Sequence, residues 1–181
     1  MNDQPPPPMA SAPGPAAPPP GARILVVDDE EIVLVALRQT LVQLGYQVTT
    51  APDAIQALGK LREQPFAVVI SDHQMPTLTG LELLAQVREL QPEASRVLIT
   101  AVLQLGTVIE AINKAEIFRF LIKPWERAEL IGTVRAAVER HDAIRSRREA
   151  LTAAQGENET LRARVAALEA ELAGVRPSPG P

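Results

Sequence analysis

Four short runs of aliphatic, largely β-branched residues punctuate the middle of the chain. They are Arg23-Ile-Leu-Val-Val-Asp-Asp29, Phe66-Ala-Val-Val-Ile-Ser-Asp72, Arg96-Val-Leu-Ile-Thr100 and Phe118-Arg-Phe-Leu-Ile-Lys123. A fifth segment, Tyr46 to Thr50, alternates apolar and polar positions as a half-buried strand does. Between these runs the apolar residues recur at helical spacing. One helix is expected over Glu30 to Leu44, ending at Gly45 as a natural C-cap, and a second over Pro52 to Arg62. A third covers Leu78 to Leu90, with Pro92 breaking the chain beyond it; a fourth covers Gln104 to Lys114, and a last one starts at Glu126. Five strand–helix units in this order predict an α/β fold: a doubly wound, five-stranded parallel sheet with helices on both faces and right-handed crossovers.

Past residue 142 the pattern changes. Residues 143 to 176 carry no strand signal and no proline. Ile144, Leu151, Asn158, Val165 and Leu172 recur every seven residues, and Ala154, Leu161, Leu168 and Val175 fall three after the last four of them. That is the a/d seam of a leucine-zipper-like coiled coil. In a parallel dimer its flanks pair Glu157 with Arg162, Arg164 with Glu169, and Glu171 with Arg176, all attractive and each worth about 0.3 kcal/mol. Asn158 at a mid-seam a position fixes two strands in register. No proline separates Glu126 from Val175, so one helix of about 50 residues, roughly 75 Å long, is expected. Arg140 and Arg147 fall at d positions, where like charges oppose each other. The zipper is therefore expected to close firmly only from Leu151, with Glu139 to Arg148 as a compliant joint. The run Arg145-Ser-Arg-Arg148 suggests a basic zipper for DNA, but it is short and flanked by Asp142 and Glu149.

The ends differ again. Residues 1 to 21 are nearly all Pro, Ala and Gly, with unbroken runs at Pro5 to Pro8 and Pro18 to Pro20, a composition that denies both helix and ladder hydrogen bonds. The expected division is a tail over 1–21, an α/β domain over 22–142, a coiled-coil dimerisation helix over 143–176 and a second tail over 177–181. Only 3% of residues are aromatic against 46% hydrophobic, so aliphatic packing must form the core. A net charge of −4 argues against nucleic acid or an anionic membrane as the partner of the whole chain. With no cysteine, disulfides, thiolate metal sites and cysteine nucleophiles are excluded, as suits a reducing compartment. There is neither a signal-peptide pattern nor an apolar run of roughly 18 residues, and a cytoplasmic protein is expected.

Chemistry enters at the strand ends. In a doubly wound sheet the carboxyl ends of the strands converge on one crevice. Asp28 and Asp29, Asp72, Thr100 and Lys123 each stand at such an end. Singly, each has an ordinary reading: a solvated turn acid, a strand cap, a β-forming threonine, an exposed lysine. Together, three acids, a hydroxyl and an ammonium suit a divalent metal and a phosphoryl group. Mg²⁺ prefers hard oxygen ligands, and a carboxylate opposite it can act as the nucleophile that becomes an aspartyl phosphate.

The segments Leu25-Val-Val-Asp-Asp-Glu30, Asp72-His-Gln-Met-Pro-Thr-Leu-Thr-Gly80, Leu98-Ile-Thr-Ala101 and Phe120-Leu-Ile-Lys-Pro124 carry a resemblance. Residues 23 to about 140 resemble the flavodoxin-like receiver domain of bacterial two-component response regulators. The resemblance implies that Asp72 is the phosphoacceptor, served by a sensor histidine kinase or phosphotransfer protein. It implies Mg²⁺ bound by Asp28, Asp29, Asp72 and the backbone carbonyl of Gln74. It also implies Thr100 as the switch hydroxyl, Lys123 as the phosphoryl-pairing cation with a cis bond to Pro124, and the backbone of Ala101 as a phosphoryl contact. Phe120 stands at the switch aromatic position and, lacking a hydroxyl, can change exposure without hydrogen bonding. The stretch Ala111 to Arg119 departs from the common Gly-Ala-Asp pattern. With Lys123-Pro-Trp125 it resembles a subgroup of multidomain regulators, some tied to hydrogenase control or cyclic-dinucleotide turnover. The function expected is a phosphoryl-accepting switch, not a turnover enzyme, dimerised by its parallel coiled coil and signalling through an unnamed protein partner. The alternative is a phosphorylation-independent dimeric scaffold or adaptor. A transcription regulator is disfavoured because no helix-turn-helix pattern is present.

Overall fold

A computed structural model of the protein describes residues 21–101 and 114–174. The helix expected over 104–114 therefore lies outside the described residues except at Lys114, as do the two tails apart from Gly21, and Val175. The described elements run β1 (Arg23–Val27), α1 (Glu31–Gln43), β2 (Gln47–Ala51), α2 (Ala54–Glu63), β3 (Val68–Asp72), α3 (Gly80–Leu90), β4 (Ser95–Thr100), β5 (Arg119–Ile122) and α4 (Arg127–Gly174). The strands form one sheet in the order β2-β1-β3-β4-β5, and every pairing is parallel.

The near-continuous apolar runs follow from burial on both faces. Leu25, Val27, Val69 and Leu98 point to one side, against Leu83, Leu84 and Val87 of α3 and Ala57 and Leu61 of α2. Ile24, Val26, Ile70, Val97, Ile99 and Leu121 point to the other, against Leu37 and Leu41 of α1 and Val134 and Val138 of α4. Each fully buried aliphatic side chain contributes about 2 kcal/mol, so two such layers support the domain with few aromatics.

Two helices begin later than the periodicity suggests, because side-chain caps place their first turns. Asp53 accepts a hydrogen bond from the Gln56 N–H at 2.7 Å, so Pro52 precedes α2 instead of entering it. Thr79 and Glu82 form a capping box, and α3 starts at Gly80, not Leu78.

The single long helix is present: α4 runs unbroken for 48 residues. The compliant joint expected within it is not what the structure shows. Arg140 reaches the Ser95 hydroxyl at 3.4 Å and stacks over the Phe118 ring, 5.4 Å from its centroid. His141 Nδ1 lies 3.0 Å from the Glu93 carbonyl oxygen, and Arg148 pairs with the Glu93 carboxylate at 2.6 Å. Arg140 and Arg148 are turned onto their own domain, which the heptad count alone cannot reveal. Ile144 is half-buried, whereas Leu151, Leu161, Val165, Leu168 and Leu172 are each more than half exposed. Among the described residues no helix is long and apolar enough to cross a membrane.

Candidate functional site

The carboxyl ends of β1, β3, β4 and β5 meet, as their register requires: Asp72 stands beside Ile99, and Thr100 beside Ile122. Asp28 is fully buried, Asp72 and Thr100 nearly so, and Asp29 and Ala101 are exposed. Lys123 follows β5, its own N–H donating to the Thr100 carbonyl at 2.8 Å, and its bond to Pro124 is cis. The Lys123 ammonium spans the acids, 2.7 Å from Asp72 Oδ1, 3.1 Å from Asp28 Oδ2 and 3.4 Å from Glu30 Oε1. The second oxygen of each buried acid takes a backbone donor: Glu30 N–H to Asp28 Oδ1 at 2.9 Å, and Gln74 N–H to Asp72 Oδ2 at 2.5 Å.

Burial pushes the Asp28 carboxyl above its usual range, against the pull of the Glu30 N–H and the Lys123 ammonium. Burial alone would lower Lys123, but hydrogen bonds to Asp72 and Asp28 outweigh it and hold the ammonium well above the ordinary lysine range. The cation is therefore permanent at any physiological pH.

The β3–α3 connection packs tightly against Asp72. A Cβ on Gly80 would lie 1.8 Å from the Asp72 carbonyl oxygen, so only glycine lets α3 begin there. Thr77 in the same loop has φ +74°, a left-handed conformation that a β-branched residue adopts only under strain. A cavity of about 300 Å³ opens above, lined by Asp29, Glu30, Asp72, Gln74, Thr100, Ala101 and Lys123. Phe120 is partly buried against the α2–α3 side of the core, beneath this face.

All the residues singled out at the strand ends are thus gathered around one crevice. The arrangement differs from a three-acid cage. Among the described residues no three His, Cys, Asp or Glu side chains are close enough to hold a metal by themselves. The reason is that the Lys123 ammonium stands between Asp28 and Asp72, while Asp29 faces the cavity. The donors still fit Mg²⁺, which retains several waters and needs only one or two carboxylates; Asp29, Asp72 and Gln74 line one space and offer hard oxygens. Glu30 was not anticipated. Its side chain joins the Lys123 cluster and its N–H caps Asp28, and its signal in the sequence is the unbroken acid run 28–31, which does not single it out from Glu31.

Comparison with known proteins agrees with this fold. The response regulator receiver domain family matches residues 24–135, more than half of the chain. The chain belongs to the response regulator receiver family. Over 104 residues, 58% of its length, the receiver is 42% identical to the hydrogenase transcriptional regulatory protein HoxA of Cupriavidus necator, covering 21% of that protein. It is 29% identical over 126 residues, 70% of the chain, to the C4-dicarboxylate transport transcriptional regulatory protein DctD of Rhizobium meliloti, covering 27% of it. The chain thus spans about a quarter or less of the length of these curated relatives. Among solved structures it resembles the signal receiver domain of an HD domain-containing protein from Pseudomonas fluorescens Pf-5. There the identity is 38% and the TM-score 0.65, over 67% of this chain and 98% of that one. Receiver domains of this family act as signalling switches in two-component systems, bind Mg²⁺ at the acidic site and interact with histidine kinases or phosphotransfer proteins.

Proposed function

We propose that Asp72 accepts a phosphoryl group from a histidine kinase or phosphotransfer protein, and that the phosphorylated chain signals through another protein. The observation that carries this reading is the Lys123 ammonium lying 2.7 Å from Asp72 at the rim of a cavity that Thr100 also lines. In the transfer, a new bond forms between an Asp72 carboxylate oxygen and phosphorus as the donor's nitrogen–phosphorus bond breaks. The departing imidazole takes up a proton. A carboxylate attacks an anionic donor poorly unless charge is neutralised. Lys123 supplies one fixed positive charge; the Thr100 hydroxyl and the Ala101 N–H would bond the new phosphoryl oxygens. Asp28, Asp29, Asp72 and the Gln74 carbonyl would hold Mg²⁺, whose charge offsets that of the phosphoryl oxygens. Phe120 would follow the switch by changing its exposure. Ile32, Val35 and Val42 give α1 an exposed apolar stripe that starts near Asp29 and runs along the helix, suited to a helical donor. The chain works as an acceptor that resets by hydrolysis, not as an enzyme acting on an external substrate.

We further propose the division into a receiver over 22–142 and a dimerisation helix over 143–176, acting as a parallel homodimer. At about 100° per residue, the seam positions Leu151, Asn158, Val165 and Leu172 lie roughly 100° to 160° around the helix from the receiver-facing Val134. The receiver therefore sits on one side of α4 and leaves the seam open to a partner.

Acetyl phosphate with Mg²⁺ should add one acid-stable, base-labile phosphoryl group to the wild type and none to Asp72→Asn, read by intact mass. Undiminished labelling of that variant would overturn the assignment. Sedimentation should give a dimer at tens of micromolar; a monomer would overturn the second proposal.

A further inference from the structure

At the pole of the sheet opposite the acids, a second set of contacts ties the root of α4 to the α3–β4 connection. Val138 is the last α4 residue in the core, yet contacts continue roughly 15 Å further along the helix to Arg148. Glu93 makes two of them. Its carbonyl oxygen meets His141 at 3.0 Å and its carboxylate meets Arg148 at 2.6 Å, two turns apart on one helix face. The loop that carries Glu93 is itself held. Arg96, fully buried at the start of β4, donates from Nη1 to the carbonyls of Ala94 at 2.9 Å and Pro92 at 3.4 Å, and from Nε to the Ala115 carbonyl at 2.7 Å. Both neighbours of Glu93 are thereby pinned.

Every residue from Arg145 to Leu172 is exposed, and beyond Arg148 no hydrogen bond or ion pair to the receiver is found among the described residues; Gly156 has open space outside its own helix where a Cβ would lie. The hydroxyls of Thr152 and Thr160 bond back to the carbonyls of Arg148 and Gly156, at 3.0 and 2.9 Å, a habit that bends helices. The seam there is weakest too, holding only Ala154 and Asn158 between Leu151 and Leu161. Glycine in a helix interior also loosens it relative to alanine.

We infer that α4 is a clamped lever: Glu93 fixes it to the receiver as far as Arg148, and the first joint lies at Gly156. A change of shape in the receiver would then be carried out rigidly to the start of the zipper, with bending taken up between Thr152 and Thr160. The clamp is intramolecular and does not require the coil to dimerise, so the two ideas fail separately.

The chain lacks cysteine, so spin labels can be placed by pairs of introduced cysteines. Arg62→Cys combined with Ala150→Cys spans receiver to clamped root; Arg62→Cys with Ala163→Cys spans receiver to distal coil. Labelled full-length chain is diluted with unlabelled chain so that only distances within one molecule are read. The 62–150 distribution should be narrow and the 62–163 distribution broad. Glu93→Ala should broaden the first, and the charge exchange Glu93→Arg with Arg148→Glu should narrow it again. Gly156→Ala should narrow the second. A 62–150 distribution unmoved by Glu93→Ala, or a 62–163 distribution unmoved by Gly156→Ala, would overturn the lever. Undiluted chain labelled at 163 alone reports dimerisation independently.

Discussion

Gly80→Ala is the most economical perturbation of the site, because it adds one methyl group and replaces no polar side chain, although the new Cβ also falls 2.8 Å from the Ser71 hydroxyl. The new Cβ would fall 1.8 Å from the Asp72 carbonyl oxygen and 2.8 Å from its carbonyl carbon. Ordinary contact needs about 3.4 Å, so a gap of roughly 1.5 Å must open between α3 and the end of β3. Neither side yields easily. The Gly80 N–H donates to the His73 carbonyl at 3.0 Å, the His73 N–H donates to the Ile99 carbonyl at 2.8 Å, and the Thr79–Glu82 capping box holds the first turn of α3. Overpacking in a tight site costs 1–3 kcal/mol, and a clash with backbone belongs at the top of that range, about 3 kcal/mol. For a domain of this size the transition should fall by about 10 °C. Displacing Asp72 by about 1 Å should also slow phosphorylation by acetyl phosphate about 100-fold. Trp125 is the single tryptophan and packs against the α1–α4 side of the core, so its emission follows the receiver without interference from the coil. A variant melting within about 2 °C of wild type and labelled at the wild-type rate would show that α3 does not approach Asp72 as described.

Thr77→Gly should stabilise the receiver by about 1 kcal/mol in urea titrations, because relief of strain at φ +74° exceeds the added chain entropy of glycine; a destabilised variant would contradict the strain. Asp28 carries a pH signature. Its folded pKa lies above the unfolded 3.8, so the folded state binds this proton more tightly, and the resulting stability is present below 3.8 and lost as pH rises through the folded value. Asp28→Asn should therefore gain stability relative to wild type as pH rises from 3.8 toward neutrality, without added divalent ions; a difference flat with pH would contradict the burial of that charge.

Much of this molecule could be read from residue order, and the exceptions share a cause. Asp28, Asp72, Thr100 and Lys123 were legible because a strand end is a local feature, and parallel topology then carries all four to one crevice. The length of α4 was legible because proline is absent between Glu126 and Val175. The capping box at Thr79 is written as a Thr-x-x-Glu pattern, and it places the first turn at Gly80 where the apolar period alone points to Leu78. Arg96 and Glu93 were not legible. A buried arginine on a strand looks like an edge residue until the carbonyls of Ala94 and Ala115 are known to surround it. The Glu93–Arg148 pair joins positions 55 apart. Heptad counting set Arg140 against its copy in a partner chain, whereas the fold offers it Phe118 and Ser95 at shorter range.

The central claim is that Asp72 is the residue that carries the signal as an acyl phosphate. Treating the wild-type chain with acetyl phosphate and Mg²⁺, then reducing with borohydride, converts an aspartyl phosphate to homoserine at the modified position. Peptide sequencing by mass spectrometry should find homoserine at residue 72 alone, with Asp28, Asp29 and Glu30 unchanged. Homoserine at another acid, or none anywhere while the chain remains folded, would contradict it.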